Sequence, residues 1–189
     1  MSAVTFTEAG DAAGVPFTVA DLERTPGDGR RYELLDGTLV VSPRPTTLHQ
    51  RVGFRLAYVL ETACPDGFAV VPEPAVQVGR RTELAPDIVV ARADEVGPAK
   101  FTEPPLLVVE VRSPSTALID LNRKKSTYEK FGVPSYWIVD PDPERPELTV
   151  FELRDDQYAV EAKTTQTITL ERPFPVTIAL ASLTSGLRR

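Results

Sequence analysis

The segment Leu106-Leu107-Val108-Val109-Glu110-Val111-Arg112 constrains this chain more than any other. It is apolar enough to be covered on both faces of a sheet, yet it carries Glu110. An ionised carboxylate does not enter such a strand without a partner. A second acid, Asp87, opens another apolar strand, Asp87-Ile88-Val89-Val90-Ala91, directly after Pro86. If the two strands are antiparallel neighbours, the start of one faces the end of the other and the carboxylates converge. Two carboxylates that close repel unless a proton or a cation lies between them. Oxygen-rich sites with open positions suit Mg²⁺ or Mn²⁺.

The helix that follows supplies a cation. Over residues 117–131, Ala117, Leu121, Lys124, Tyr128 and Phe131 share one face at about 100° per residue. Lys124 therefore occupies a slot where a core residue belongs. Asp120 lies one turn before it, at a spacing that permits an ion pair. A lysine on a stripe packed against the Glu110 strand can point at the strand ends and at a scissile phosphate. The pattern points to a metal-dependent hydrolytic site.

Each residue also has a plainer reading. Lys124 alone is a side chain that snorkels past a sheet edge. Glu110 alone is an edge-strand acid paired with Arg112, which shares its face by alternation. Asp87 alone is a turn residue at a strand start. Tyr128 reads as packing. His49, the only histidine, reads as a helix-face or core residue, because one histidine without neighbours makes a poor metal site. Glu33 is read equally as exposed or as part of the site. The plain readings must all hold at once, at compatible positions, to displace the site.

Along the chain, Thr18 begins a short helix that ends near Pro26-Gly27. Asp36-Gly37 between Tyr32-Glu33-Leu34-Leu35 and Thr38-Leu39-Val40-Val41 marks a tight hairpin. Thr46 or Thr47 caps a helix over 48–63. Short extended pieces follow at 68–71 and 75–78, and 87–91 is a strand. Residues 92–105 are a polar connection, and 106–112 is the central strand. A strand at 136–139 completes a βαβ unit over 106–139, preceded by a mainly antiparallel meander. Residues 148–153 and 158–162 form a hairpin about Asp155-Asp156. Extended pieces lie at 168–170 and 176–180, and the apolar stretch 174–183 serves an interface or completes the core. The fold class is α/β with α+β character: a mixed sheet flanked by helices.

The bulk numbers fit one domain over the 189 residues, with 42% hydrophobic and 25% charged residues. No apolar run approaches the roughly 18 residues that span a bilayer, so no membrane partner is expected. The first residues lack a basic and apolar leader, and Cys64 is the only cysteine. Cytoplasmic residence is the expectation, without disulfides or zinc clusters. The net charge of −6 argues against a nonspecific nucleic-acid coat. It leaves room for a local site, and Arg30-Arg31, Arg80-Arg81 and Arg123-Lys124-Lys125 are the basic clusters.

Tyr32-Glu33-Leu34-Leu35-Asp36-Gly37, Val41-Ser42-Pro43 and His49 resemble the front half of the Uma-type restriction endonuclease family of bacteria, within the PD-(D/E)XK nuclease superfamily. Pro86-Asp87-Ile88-Val89-Val90 and Val109-Glu110-Val111-Arg112-Ser113-Pro114-Ser115 resemble its centre. Asp120, Lys124, Tyr128 and Gly132-Val133-Pro134-Ser135-Tyr136-Trp137-Ile138-Val139-Asp140-Pro141 resemble its closing signature. In this order the segments are specific.

The resemblance implies a restriction-endonuclease-like domain with its core at about 18–141 and a C-terminal hairpin extension over 148–180. It implies a Mg²⁺- or Mn²⁺-dependent endonuclease acting on DNA. Asp87 and Glu110, with the carbonyl of Val111, are the implied metal ligands, and Lys124 is the implied catalytic lysine. Glu33, His49, Arg112, Asp120 and Tyr128 are accessory. The usual superfamily lysine stands two positions after its acid, where this chain has Arg112. Arginine does not deprotonate in proteins, so it contacts phosphate rather than acting as a base. A homodimer is expected, because duplex cleavage needs two sites. The rival reading is a catalytically weak or inactive binding or regulatory protein on the same fold, favoured by the acidic charge and by Arg112.

Overall fold

Period-two alternation in the apolar segments decides the architecture, because every residue of a buried strand must face one layer or the other. The computed structural model describes the backbone of residues 5–6, 14–113 and 118–186, and the side chains of 14–113 and 121–186. The first half holds β1 (Thr5–Phe6), α1 (Val19–Leu22), β2 (Arg31–Leu35), β3 (Thr38–Ser42), α2 (Thr47–Ala63), β4 (Phe68–Pro72), β5 (Val76–Gln77), β6 (Glu83–Leu84) and β7 (Ile88–Arg92). The second half holds β8 (Leu107–Val111), α3 (Leu118–Phe131), β9 (Ser135–Asp140), β10 (Glu147–Arg154), β11 (Gln157–Thr164), β12 (Thr167–Leu170), β13 (Val176–Ala179) and α4 (Leu180–Thr184).

The main sheet has six strands in the order β11-β10-β9-β8-β7-β4. β8 and β9 are parallel, joined by α3. The other neighbours are antiparallel, including β7 with β8. A second sheet has the order β1-β3-β2-β6-β5, and β12-β13 is a two-stranded ribbon. This corrects the single meander expected ahead of the βαβ unit. β5 and β6 each span two residues, too few to show a period, and they draw β2 and β3 into a sheet of their own. The expected β2–β3 turn is present. Asp36 (φ 52°) and Gly37 (φ 78°) both lie in the left-handed region, as a two-residue primed turn requires.

The main sheet is covered on both faces. Ile88, Val90, Leu107, Val109, Trp137 and Val139 pack with Val52, Leu56 and Leu60 of α2. Val89, Ala91, Val108 and Tyr136 pack on the other side with Tyr128 of α3. Phe174, Val176, Ile178, Leu180 and Leu183 join the α2-side core, so the apolar stretch near the C-terminus completes that core. Its last part is helical, where an extended piece was expected to reach residue 180. The alternation of Val176 and Ile178 gives way at Leu180 to a three-residue step to Leu183, which suits a helix. Arg55 of α2 fastens α4 by donating to the carbonyls of Ser182, Leu183 and Ser185. The N-terminus of α2 is capped by Thr46, whose hydroxyl accepts the His49 N–H at 3.2 Å.

Candidate active site

Pro86 has no N–H to give a ladder, so strand pairing begins after it. The first pair is Ile88 with Val109, which leaves Asp87 and Glu110 each one residue beyond it. The Asp87 N–H donates to the Val109 carbonyl at 3.1 Å, and the Val111 N–H donates to Asp87 Oδ2 at 2.7 Å. The Asp87 carboxylate therefore lies against the backbone that carries Glu110. α3, crossing from β8 to β9, brings Lys124 and Tyr128 onto Glu110 from one helical turn to the next. β2 brings Glu33 from the second sheet.

Lys124 Nζ donates to Glu33 Oε1 at 2.8 Å and to the two Glu110 oxygens at 3.4 and 3.5 Å. The Tyr128 hydroxyl donates to Glu110 Oε1 at 3.3 Å, and the Ala85 N–H donates to Glu33 Oε1 at 2.8 Å. Lys124, Glu33 and Glu110 are only 2%, 2% and 3% exposed, so these groups meet with little water between them. On the Asp87 side, both terminal nitrogens of Arg31 donate to Oδ1 at 3.2 Å. His49 Nε2 lies 3.3 Å from Oδ2.

These surroundings push the two carboxylates apart in acidity. Burial drives Glu110 up to about 8; Lys124 opposes the rise, while Asp87 and Glu33 add repulsion. Burial also acts to raise Asp87, but His49, Arg31 and the Val111 N–H outweigh it and hold Asp87 below the usual carboxylate range. Burial, then Glu110 and Glu33, lift the Tyr128 hydroxyl well above its ordinary value. Two acids of opposed acidity in one buried cluster are the arrangement that separates a proton holder from a permanent anion.

Asp87, Glu110, Lys124, Tyr128, Glu33 and His49 are thus gathered, although they come from elements far apart in the sequence. The edge-strand reading of Glu110 fails, because β8 lies between β7 and β9 and Glu110 pairs with Lys124 and Tyr128. The reading of Lys124 as a snorkelling side chain fails on its burial. Arg112 turns to Asp140, with Nη1 donating at 2.5 Å, both side chains partly exposed. The Asp120 side chain lies outside the described residues, as do residues 114–117. Arg31 was missed as a partner of Asp87. Its alternation with Glu33 in β2 puts both on one face and was the available signal.

Among the described residues, no three His, Cys, Asp or Glu side chains group closely enough to cage a metal ion. Two carboxylates suffice for Mg²⁺, which keeps waters and shares substrate phosphates instead of filling an all-protein cage. The donors here are oxygens, and Glu110 is pushed up first by burial and then by repulsion from Asp87 and Glu33, which a cation would relieve. The residues therefore fit a hard divalent cation.

A family model described as "Uma2: Putative restriction endonuclease" matches residues 19–183. Among solved structures, a "putative nuclease belonging to DUF820" from Anabaena variabilis is similar at a TM-score of 0.70. The two share 17% sequence identity, over 90% of this chain and 98% of that one, which establishes a common fold. No match was found among curated proteins.

Proposed function

The chain belongs to the Uma2 putative restriction endonuclease family, and from that premise we propose that it is a divalent-metal-dependent endonuclease hydrolysing DNA phosphodiester bonds at the cluster around Asp87, Glu110 and Lys124. The observation that carries this reading is the burial of Lys124 between Glu33 and Glu110, beside an Asp87 held as an anion. Buried ion clusters of this kind are a poor route to stability alone, since well-packed apolar groups of similar volume do as well or better. Ionisable groups perturbed as Glu110 and Asp87 are cluster at functional sites.

Asp87 and Glu110, with the carbonyl of Val111, would hold Mg²⁺ or Mn²⁺. The bound cation supplies an acidified water and a polarised phosphate. The protein does the rest. Arg31, His49 and the Val111 N–H fix the Asp87 carboxylate in one orientation. Glu33 anchors the Lys124 ammonium, so that its charge is aimed before substrate arrives and needs no reorganisation during reaction. Tyr128 holds Glu110 through a hydrogen bond to Oε1. Arg112, at the partly exposed rim, is placed to meet a phosphate on exchange of its Asp140 partner. Cleavage of both strands of a duplex requires a homodimer, or two encounters with one site.

The test is nicking of supercoiled plasmid by purified protein with Mg²⁺, Mn²⁺ or EDTA. Cleavage that needs the cation and disappears in Asp87→Asn supports the proposal. Cleavage that continues in EDTA, or in the Asp87→Asn protein, discards it.

A further inference from the structure

Beside the acid cluster, a groove of about 390 Å³ lies between α2 and β4, lined by Gly53, Phe54 and Tyr58 on one side and Val70 and Pro72 on the other. It runs along α2 from His49, next to Asp87, to Glu61, about 18 Å at the helical rise. Phe54 and Tyr58 sit one turn apart and are 73% and 66% exposed. They are the only aromatic side chains among the exposed large hydrophobic residues described. Gly53 lies within the helix between them and His49. A glycine in a helix interior is destabilising relative to alanine. Packing does not demand it, since a Cβ there would meet nothing within 4 Å. What Gly53 does is leave the floor of the groove open.

We infer that this groove holds an unpaired nucleobase stacked on Phe54 and Tyr58, so that the substrate is single-stranded or locally unpaired nucleic acid with its phosphodiester delivered at the Asp87 end. The inference rests on the nuclease reading, since it is the continuity of the groove with Asp87 that makes a nucleotide its occupant. Exposed aromatic rings offer the sequence-tolerant platform that single strands use, whereas a duplex hides the base faces. Gln50 and Glu61 add an amide and a carboxylate, which match the donor and acceptor edges of bases. The lining has no lysine or arginine and carries the carboxylates of Glu61, Glu73 and Asp87, so the groove takes a base and leaves the phosphate backbone outside it. A second copy of the chain fits less well. A stable dimer face covers about 800 Å² per partner, and two rings beside a polar rim fall short of an apolar patch of that size.

The 189-residue chain, without metal so that nothing is cut, is titrated against a short oligonucleotide carrying 2-aminopurine, either single-stranded or in a hairpin duplex. Stacking quenches the fluorescence. The single strand is expected to bind about tenfold or more tightly than the duplex. Phe54→Ala with Tyr58→Ala weakens that binding about tenfold or more. Both rings are largely exposed, so the double variant keeps its core. Gly53→Leu, which fills the floor and leaves both rings in place, weakens binding likewise. Equal affinity for the duplex, or unchanged binding in these variants, overturns the inference. So does a dimer, seen by sedimentation, that the double variant dissociates without altering the quench, because the face then belongs to a second copy. Cleavage of the same single-stranded oligonucleotide by the unaltered protein with Mg²⁺ or Mn²⁺ is measured separately. Its absence removes the nuclease reading, while a quench lost in the two variants still upholds the base platform and a quench kept in them overturns it.

Discussion

On the α2 side of the main sheet, Ile88, Val90, Val109, Trp137 and Val139 meet Leu56 and Leu60 in an apolar core. On the α3 side Glu110 of β8 meets Lys124, which also holds Glu33, with Tyr128 bonded to Glu110 and Tyr136 packed on Tyr128. One residue of register separates the two environments. Val109 and Val111 point one way and Glu110 the other. The α2 face is held by area removed from water, which is insensitive to orientation. The α3 face is held by a few directed bonds among charges, which fail together if one partner is removed. The apolar core under α2 thus holds in place the strand that turns Glu110 toward α3.

The largest departure is expected from Lys124→Met. It leaves Glu33 and Glu110 buried without their shared cation, and should cost about 3–5 kcal/mol in urea denaturation. It should also slow plasmid cleavage roughly 10²–10³-fold. A variant that kept both stability and cleavage would erase the distinction between the faces. Leu56→Ala tests the opposite face: a loss of about 2–5 kcal/mol, with the turnover per folded molecule unaltered.

The pH dependence of stability isolates Glu110. Its carboxyl titrates near 4.5 in the unfolded chain and near 8 in the folded one. Between those values the unfolded state binds fewer protons than the folded state, so stability falls as pH rises and levels off above about 8. Metal-free protein should therefore lose on the order of a few kcal/mol between pH 5 and pH 8. Glu110→Gln should flatten the curve, and Mg²⁺ or Mn²⁺ at pH 8 should restore the unaltered protein. A flat profile in the unaltered protein would show that Lys124 already neutralises the site. The smallest effect is expected at the rim. Arg112 and Asp140 are 39% and 38% exposed, so Arg112→Ala should cost below about 1 kcal/mol in the same denaturation assay.

The acid cluster was legible in the sequence because its members violate the patterns of their own elements. Glu110 breaks an apolar strand and Lys124 breaks an apolar helix stripe, and antiparallel pairing of β7 with β8 then follows from Asp87 opening its strand. What could not be read locally is which partner each charge takes. Asp120 and Arg112 were the nearest candidates by spacing, whereas Glu33 and Arg31 arrive from the second sheet, far back in the chain. Sequence spacing sees helical turns and strand alternation but not the docking of one sheet on another. The same blindness hid that second sheet, whose β5 and β6 are too short to carry a period. It hid the helical turn at Leu180–Thr184 as well.

The Arg55 clamp also bears on the order of assembly. The carbonyls that Arg55 gathers are made 127 to 130 residues after it. During synthesis, α2 must wait for α4 to leave the ribosome before the Arg55 guanidinium finds those acceptors. Nascent chains halted before residue 182 should therefore present α2 unlatched, open to protease and to chaperones.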